Sequence, residues 1–193
     1  MLQKINHEPR TACHGPRARK NRLESDNVKA ILERRSIRKY TNEPVSESDI
    51  KDLLRAAMAA PSAHNKQPWE FIVVKDRQLL TEITKFHPYS KMLNEAPIAI
   101  IVCGDQRRDY SEYWVQDCSA ATENILLAAQ NKGLGAVWLG VYPHEDMVER
   151  LRKIFGIPEH IITLNVIAVG HPAETKKPSD RYDEDRVHLN KWE

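Results

Sequence analysis

Apolar residues recur along this chain with two periods, and the switches between them mark out its elements. Val28, Ile31 and Leu32, with Ser25 or Asp26 as N-cap, predict a short amphipathic helix. Ser46 stands three residues before Asp49 in a capping-box arrangement, and Ile50, Leu53, Leu54, Ala57 and Met58 then share one helical face that Pro61 ends. Residues 69–74 read as a strand. Leu79, Leu80 and Ile83 mark a third helix and 98–103 a buried strand; Val115, Cys118, Thr122, Ile125, Leu126 and Ala129 mark a long helix closed at Lys132-Gly133. A strand over 136–141, a helix through Val148, Leu151, Ile154 and Phe155 stopped by Gly156, and a strand over 162–169 complete the order. Four strands among five helices predict a layered α+β or α/β domain. From His171 onward the chain is polar and carries Pro172 and Pro178, so it should run over a surface, with 186–189 as a candidate short strand.

At 193 residues the chain is sized for one domain, and its 41% hydrophobic content supports a core without disulfide staples. The longest apolar stretch, 96–103, contains Pro97 and falls far short of the roughly 20 residues that cross a bilayer. No secretory h-region is visible, and Cys13, Cys103 and Cys118 lack the spacing of a zinc site, so the expected setting is cytoplasmic, with free thiols. The net charge of +2 divides unevenly: residues 1–22 carry +5 and the remainder −3. A mildly acidic domain behind a basic leader is a poor candidate for binding nucleic acid through its folded part.

Three segments carry candidate chemistry. Arg34, Arg35, Ser36 and Arg38 place three guanidinium forks and a hydroxyl within five residues, a set able to grip a phosphate monoester or simply to form a solvated charged face. In 61–69 two prolines bracket Asn65 and Gln67, whose amides suit the donor and acceptor rim of a flat heterocycle; the alternative is an ordinary helix-to-strand loop. His64 in that loop is either a proton donor or a solvated side chain. Gly133, Gly135 and Gly140 do not form a dinucleotide fingerprint, because they follow a helix and open a strand instead of the reverse. Gly140, near a strand end, would let backbone amides approach a ligand. No nucleophile motif and no metal-ligand spacing is present, so no catalytic side chain and no metal is expected, and any chemistry falls to a bound cofactor.

Taken together, R-R-S-I-R, P-S-x-x-N-x-Q-P-W, G-L-G-x-x-W-L-G and V-G-H-P-A-E followed by Lys-Pro and Arg-Tyr resemble the FMN-dependent nitroreductase family from Val28 to the C-terminus. The resemblance implies an α+β fold, a mixed, mostly antiparallel sheet flanked by helices, and a homodimer with FMN at the subunit interface. It implies a phosphate and ribityl grip from Arg34, Ser36 and Arg38, with Arg35 beside them. Pro61, Ser62, Ala63, Asn65 and Gln67 would be the loop that the other subunit lays on the flavin. Leu139 and Gly140 would face the reactive edge, and Arg181 would close on the phosphate in competition with Lys176 and Lys177. Ala63 stands where many members have a second serine, and the chain lacks the inserted helices of longer members. The implied activity is hydride transfer from NADH or NADPH through FMN to a small-molecule acceptor such as a nitroaromatic or quinone, by turns in one pocket; the alternative is an FMN-binding or flavin-scavenging protein with little turnover. No nucleic acid or membrane partner is expected. The corresponding organisation is a flexible basic extension over 1–24 and an FMN-binding domain over 25–193, whose arm at about 183–193 reaches the partner.

Overall fold

The computed structural model describes residues 26–108 and 113–192; Ser25 and the basic extension lie outside them. Five helices, α1 (Asp26–Glu33), α2 (Glu47–Met58), α3 (Arg77–Thr84), α4 (Trp114–Asn131) and α5 (Glu145–Phe155), alternate with four strands, β1 (Trp69–Val74), β2 (Ile98–Asp105), β3 (Gly135–Gly140) and β4 (Ile161–Gly170). Their ends follow local chemistry. Ser46 caps α2 by accepting the Asp49 N–H at 3.0 Å, Asp76 caps α3, and Gly133, at φ +71°, makes the left-handed turn after α4.

The strands lie in the order β1-β2-β4-β3, and every neighbouring pair is antiparallel. The parallel component is a single bridge between Ser36 and Ala136. β2 is buried along its whole length, with Ala99, Ile101 and Cys103 entering one core and Ile98, Ile100 and Val102 the other. The first core is roofed by Leu80 and Ile83 of α3 and Val148 and Leu151 of α5, the second by α2 and α4. A bulge opposite Val102 and Cys103 skips Leu164, whose carbonyl then accepts both Val141 N–H at 3.1 Å and Tyr142 N–H at 3.0 Å.

After β4 the chain turns back along 35–41 as a strap. Thr41 N–H donates to the His171 carbonyl, Ala173 N–H to Lys39, and Arg35 Nε to Lys177, each at 2.9 Å. Beyond it, Glu184–Arg186 forms a 3₁₀ turn where a short strand was expected, because Asp183 accepts both the Asp185 N–H and Arg186 Nε. Leu189 and Trp192 are 85% and 86% exposed. Of the apolar stripe that predicted α1, Ile31 and Leu32 face outward and Val28 is half-buried, while Ala30 is buried.

Two glycines of β3 make opposite demands. A Cβ on Gly135 would meet Ile37 Cγ2 at 2.7 Å, whereas one on Gly140 would meet nothing within 4 Å. Gly135→Ala should therefore lose about 1–3 kcal/mol by overpacking, and Gly140→Ala should leave the denaturant midpoint nearly unchanged; urea titration of both variants checks this.

Candidate functional site

The geometry of β3 follows from its place at the edge of the sheet. Ile37 N–H donates to the Ala136 carbonyl at 3.1 Å, so the polar backbone atoms of Ala136 face away from β4. Strand alternation gives Trp138 and Gly140 the same outward orientation, while Val141 N–H, out of phase, bonds back to Leu164 in β4. No further strand covers this edge beyond Ala136 among the described residues.

A cavity of about 610 Å³ opens there. Trp138, Leu139 and Gly140 form one wall, and His87, Tyr89, Lys91 and Met92 from the connection between α3 and β2 form another; Arg38 and His144 complete the lining. Leu139 and Met92 are buried, which gives an apolar floor, while Arg38 and Lys91 bring two cations. His87 is 3% exposed; its Nδ1 accepts the Tyr89 N–H at 3.3 Å, which leaves Nε2 carrying the proton toward the Gly140 carbonyl at 2.8 Å.

The 61–67 loop is held by a different set of contacts. His64, Asn65 and Gln67 all have φ near +50°, a conformation that costs about 1–3 kcal/mol for each such residue and persists only where the surroundings enforce it. Asp117 Oδ1 on α4 accepts the Ala63 N–H at 3.0 Å, Ser62 Oγ accepts the Gln67 N–H at 3.0 Å, and Gln67 Nε2 donates to Asn65 Oδ1 at 2.9 Å. Asp117 is 5% exposed, and its Oδ2 has no partner. The loop enters β1, at the opposite edge of the sheet from β3. Three strand spacings, about 14 Å, therefore separate the loop's strand from that of Gly140.

The family model of the nitroreductase family matches residues 31–87 and 84–171. The chain belongs to the nitroreductase family. A relative from Methanothermobacter thermautotrophicus, provisionally named an NADH dehydrogenase/NAD(P)H nitroreductase, is 53% identical over 168 residues, covering 86% of this chain and 88% of its own. The crystal structure of a protein with the same provisional name from Parabacteroides distasonis superposes with a TM-score of 0.85 at 46% identity, covering 88% of this chain and all of its own. An FMN-dependent nitroreductase from Clostridium difficile superposes with a TM-score of 0.79 at 30% identity, covering 84% of this chain and 98% of its own.

Within this nitroreductase fold, the residues singled out from sequence fall into separate places. Arg38, Leu139 and Gly140 share the large cavity. Arg34 pairs with Glu123 of α4 at 3.3 Å. Arg35 lies in a smaller cavity of about 190 Å³ with Glu174 and Lys176, where it binds the Lys177 carbonyl and leaves a buried Nη2 unpartnered. Ser36 carries the parallel bridge, and its carbonyl accepts Lys176 Nζ at 2.6 Å. Arg181 is exposed and donates to Ser179 within its own turn at 3.1 Å. Pro61, Ser62, Ala63, Asn65 and Gln67 stay together in the loop on the far edge, with His64 exposed beside them.

His87, Tyr89, Lys91 and His144 belong to the cavity but to none of the sequence motifs, because they stand in polar connections with no periodicity to mark them. Burial pushes the Cys103 thiol up to about 11, which leaves it without nucleophilic character. No group of three metal-ligating side chains occurs among the described residues. Asp117→Ala leaves the half-buried Ala63 N–H without its carboxylate acceptor; this should lower stability by about 1 kcal/mol and should accelerate amide exchange at 63–67 ahead of the sheet. Hydrogen exchange read residue by residue checks both.

Proposed function

We propose that the chain is a flavin-dependent oxidoreductase that binds FMN and passes a hydride from NADH or NADPH to a small acceptor such as a nitroaromatic or quinone. The cavity at the open edge of β3 carries this reading. It combines the cations Arg38 and Lys91, the apolar floor of Leu139 and Met92 and the outward amides of Trp138 and Gly140. These groups fit FMN by their chemistry: a guanidinium for a phosphate, an apolar floor for a planar ring, and strand-edge N–H groups for ring nitrogens. The FMN dependence of the Clostridium difficile relative and the NAD(P)H in the name of the Methanothermobacter relative agree with it.

When bound, FMN would supply the two-electron chemistry that links a nicotinamide reductant to the acceptor. Arg38 would hold the phosphate, with Arg34 and Ser36 next along the chain. Lys176, already on the Ser36 carbonyl, and Arg181 compete to close over it. Gly140 has no side chain to keep a ring off the strand edge, and the Lys91 ammonium favours negative charge arriving in the cavity. Hydride arrival needs no side-chain acid, so His64 has no part in it.

The 61–67 loop and Gly140 lie on opposite edges of one sheet, so the amides of Asn65 and Gln67 reach a ring at β3 only from a second copy. A homodimer with FMN at the interface meets that requirement. It also covers Ile31, Leu32 and Met58, and gives Val187, Leu189 and Trp192 of the arm a surface to pack on. The reading includes a cytoplasmic setting, in keeping with the free, buried thiol of Cys103.

The protein should purify yellow, and mass spectrometry of the heat-released chromophore should find FMN. Each charge-assisted phosphate contact contributes roughly 1.5–3 kcal/mol, so Arg38→Ala should weaken FMN at least about tenfold. Initial-rate plots with NAD(P)H and a quinone should be parallel, because reductant and oxidant use one cavity in turn. FMN held without any NAD(P)H oxidation would favour a flavin-scavenging protein instead. Flavin that sediments with a stable monomer would exclude the two-chain site.

A further inference from the structure

His87 is one of the most buried polar groups of the cavity wall, and the binding scheme above gives it no role. Its place is fixed from two sides. The Tyr89 N–H occupies Nδ1, so Nε2 donates to Gly140, a contact spanning 53 positions of sequence. The Gly140 carbonyl is an acceptor that the open end of β3 would otherwise turn toward the cavity. The imidazole fills the space into which that carbonyl points, and Val141 N–H, on the same peptide, is tied to Leu164. The Gly140–Val141 peptide is therefore clamped at both ends, although glycine itself imposes no side-chain restraint there.

We infer that His87 is a positioning residue that masks the Gly140 carbonyl, so that Gly140 presents its N–H and not its carbonyl to a redox-active ring. This rests on the reading that FMN lies in this cavity. The ring nitrogen that receives the hydride is a bare acceptor in oxidised flavin and an N–H donor in reduced flavin. A donor at the Gly140 position favours the oxidised form, whereas an exposed Gly140 carbonyl would hydrogen-bond the new N–H and favour the reduced form. His87 thus keeps the bound flavin strongly reducing, which suits transfer onward to an acceptor.

The test uses the full-length protein loaded with FMN and three substitutions that divide the two contacts. In His87→Gln the amide nitrogen takes the place of Nε2 and keeps the bond to Gly140 while losing the one from Tyr89. In His87→Asn a shorter amide can accept from Tyr89 but no longer reaches Gly140, and His87→Leu loses both. Equilibrium reductive titration against a reference dye reads the midpoint potential, and fluorescence titration reads FMN affinity. His87→Asn and His87→Leu should bind reduced FMN about tenfold more tightly relative to oxidised FMN than the parent does, a positive shift of ~30 mV for a two-electron couple. His87→Gln should stay near the parent.

Equal potentials in all four proteins, or equal shifts in Gln and Asn, would overturn the masking role while leaving the FMN site intact. A loss of affinity that is the same for both redox states would reduce His87 to a packing residue and would also overturn it. Failure of the parent protein to bind FMN overturns the reading beneath it, and is seen before any variant is made.

Discussion

Everything at this site depends on how little of β3's outer edge is paired. The 36–37 segment joins the sheet at Ala136 through one backbone hydrogen bond and then leaves, because the chain turns at Tyr40 into the strap contacts with His171 and Ala173. A longer pairing would have continued the sheet and closed the cavity. A shorter one would have released Ile37, which packs on Gly135 and fixes the approach of the two segments. The short bridge leaves Trp138 and Gly140 as an open strand edge inside a walled space. Exposed edges invite aggregation, and here the wall from 87–92 covers what would otherwise be a template for another strand.

The second constraint lies at the other edge. The 61–67 loop keeps three non-glycine residues in left-handed backbone, and a buried carboxylate on α4 accepts from its backbone. Strain of this kind is retained where a precise shape is used, yet within one chain this loop lies outside the cavity at β3. The sheet is four strands wide, with the loop and the cavity at its two opposite edges. The proposed pairing of two copies would resolve the mismatch, and the outward apolar residues of α1, of the end of α2 and of the C-terminal arm would be the surface it uses.

Much of the fold was legible in the sequence because its signals are local. β1 runs over the residues expected because Pro68 and Lys75-Asp76 bound a β-rich run, and the Ser46 cap and the Gly133 turn are each set within a few positions. The sheet order was not legible, since it depends on which buried strands meet across long separations. The candidate site divides the same way. Arg38, Leu139 and Gly140 were visible as motif residues, whereas His87 joins them by a contact more than fifty residues long, Lys91 by its place in the cavity wall, and neither carries a pattern of its own. Arg35 shows the converse. Its charge marked it as a phosphate ligand, but backbone carbonyls at the strap occupy two of its nitrogens.

Subunit mixing tests the two-chain site most directly. Chains carrying Arg38→Ala are refolded together with chains carrying Asn65→Ala and Gln67→Ala, and FMN binding is compared with that of each parent alone. If the loop acts across the interface, every mixed dimer contains one site with both parts intact, and a class of sites with native affinity reappears although neither parent has one. If loop and cavity served each other within one chain, every site in the mixture would still carry a defect. Absence of any native-affinity class would contradict the account.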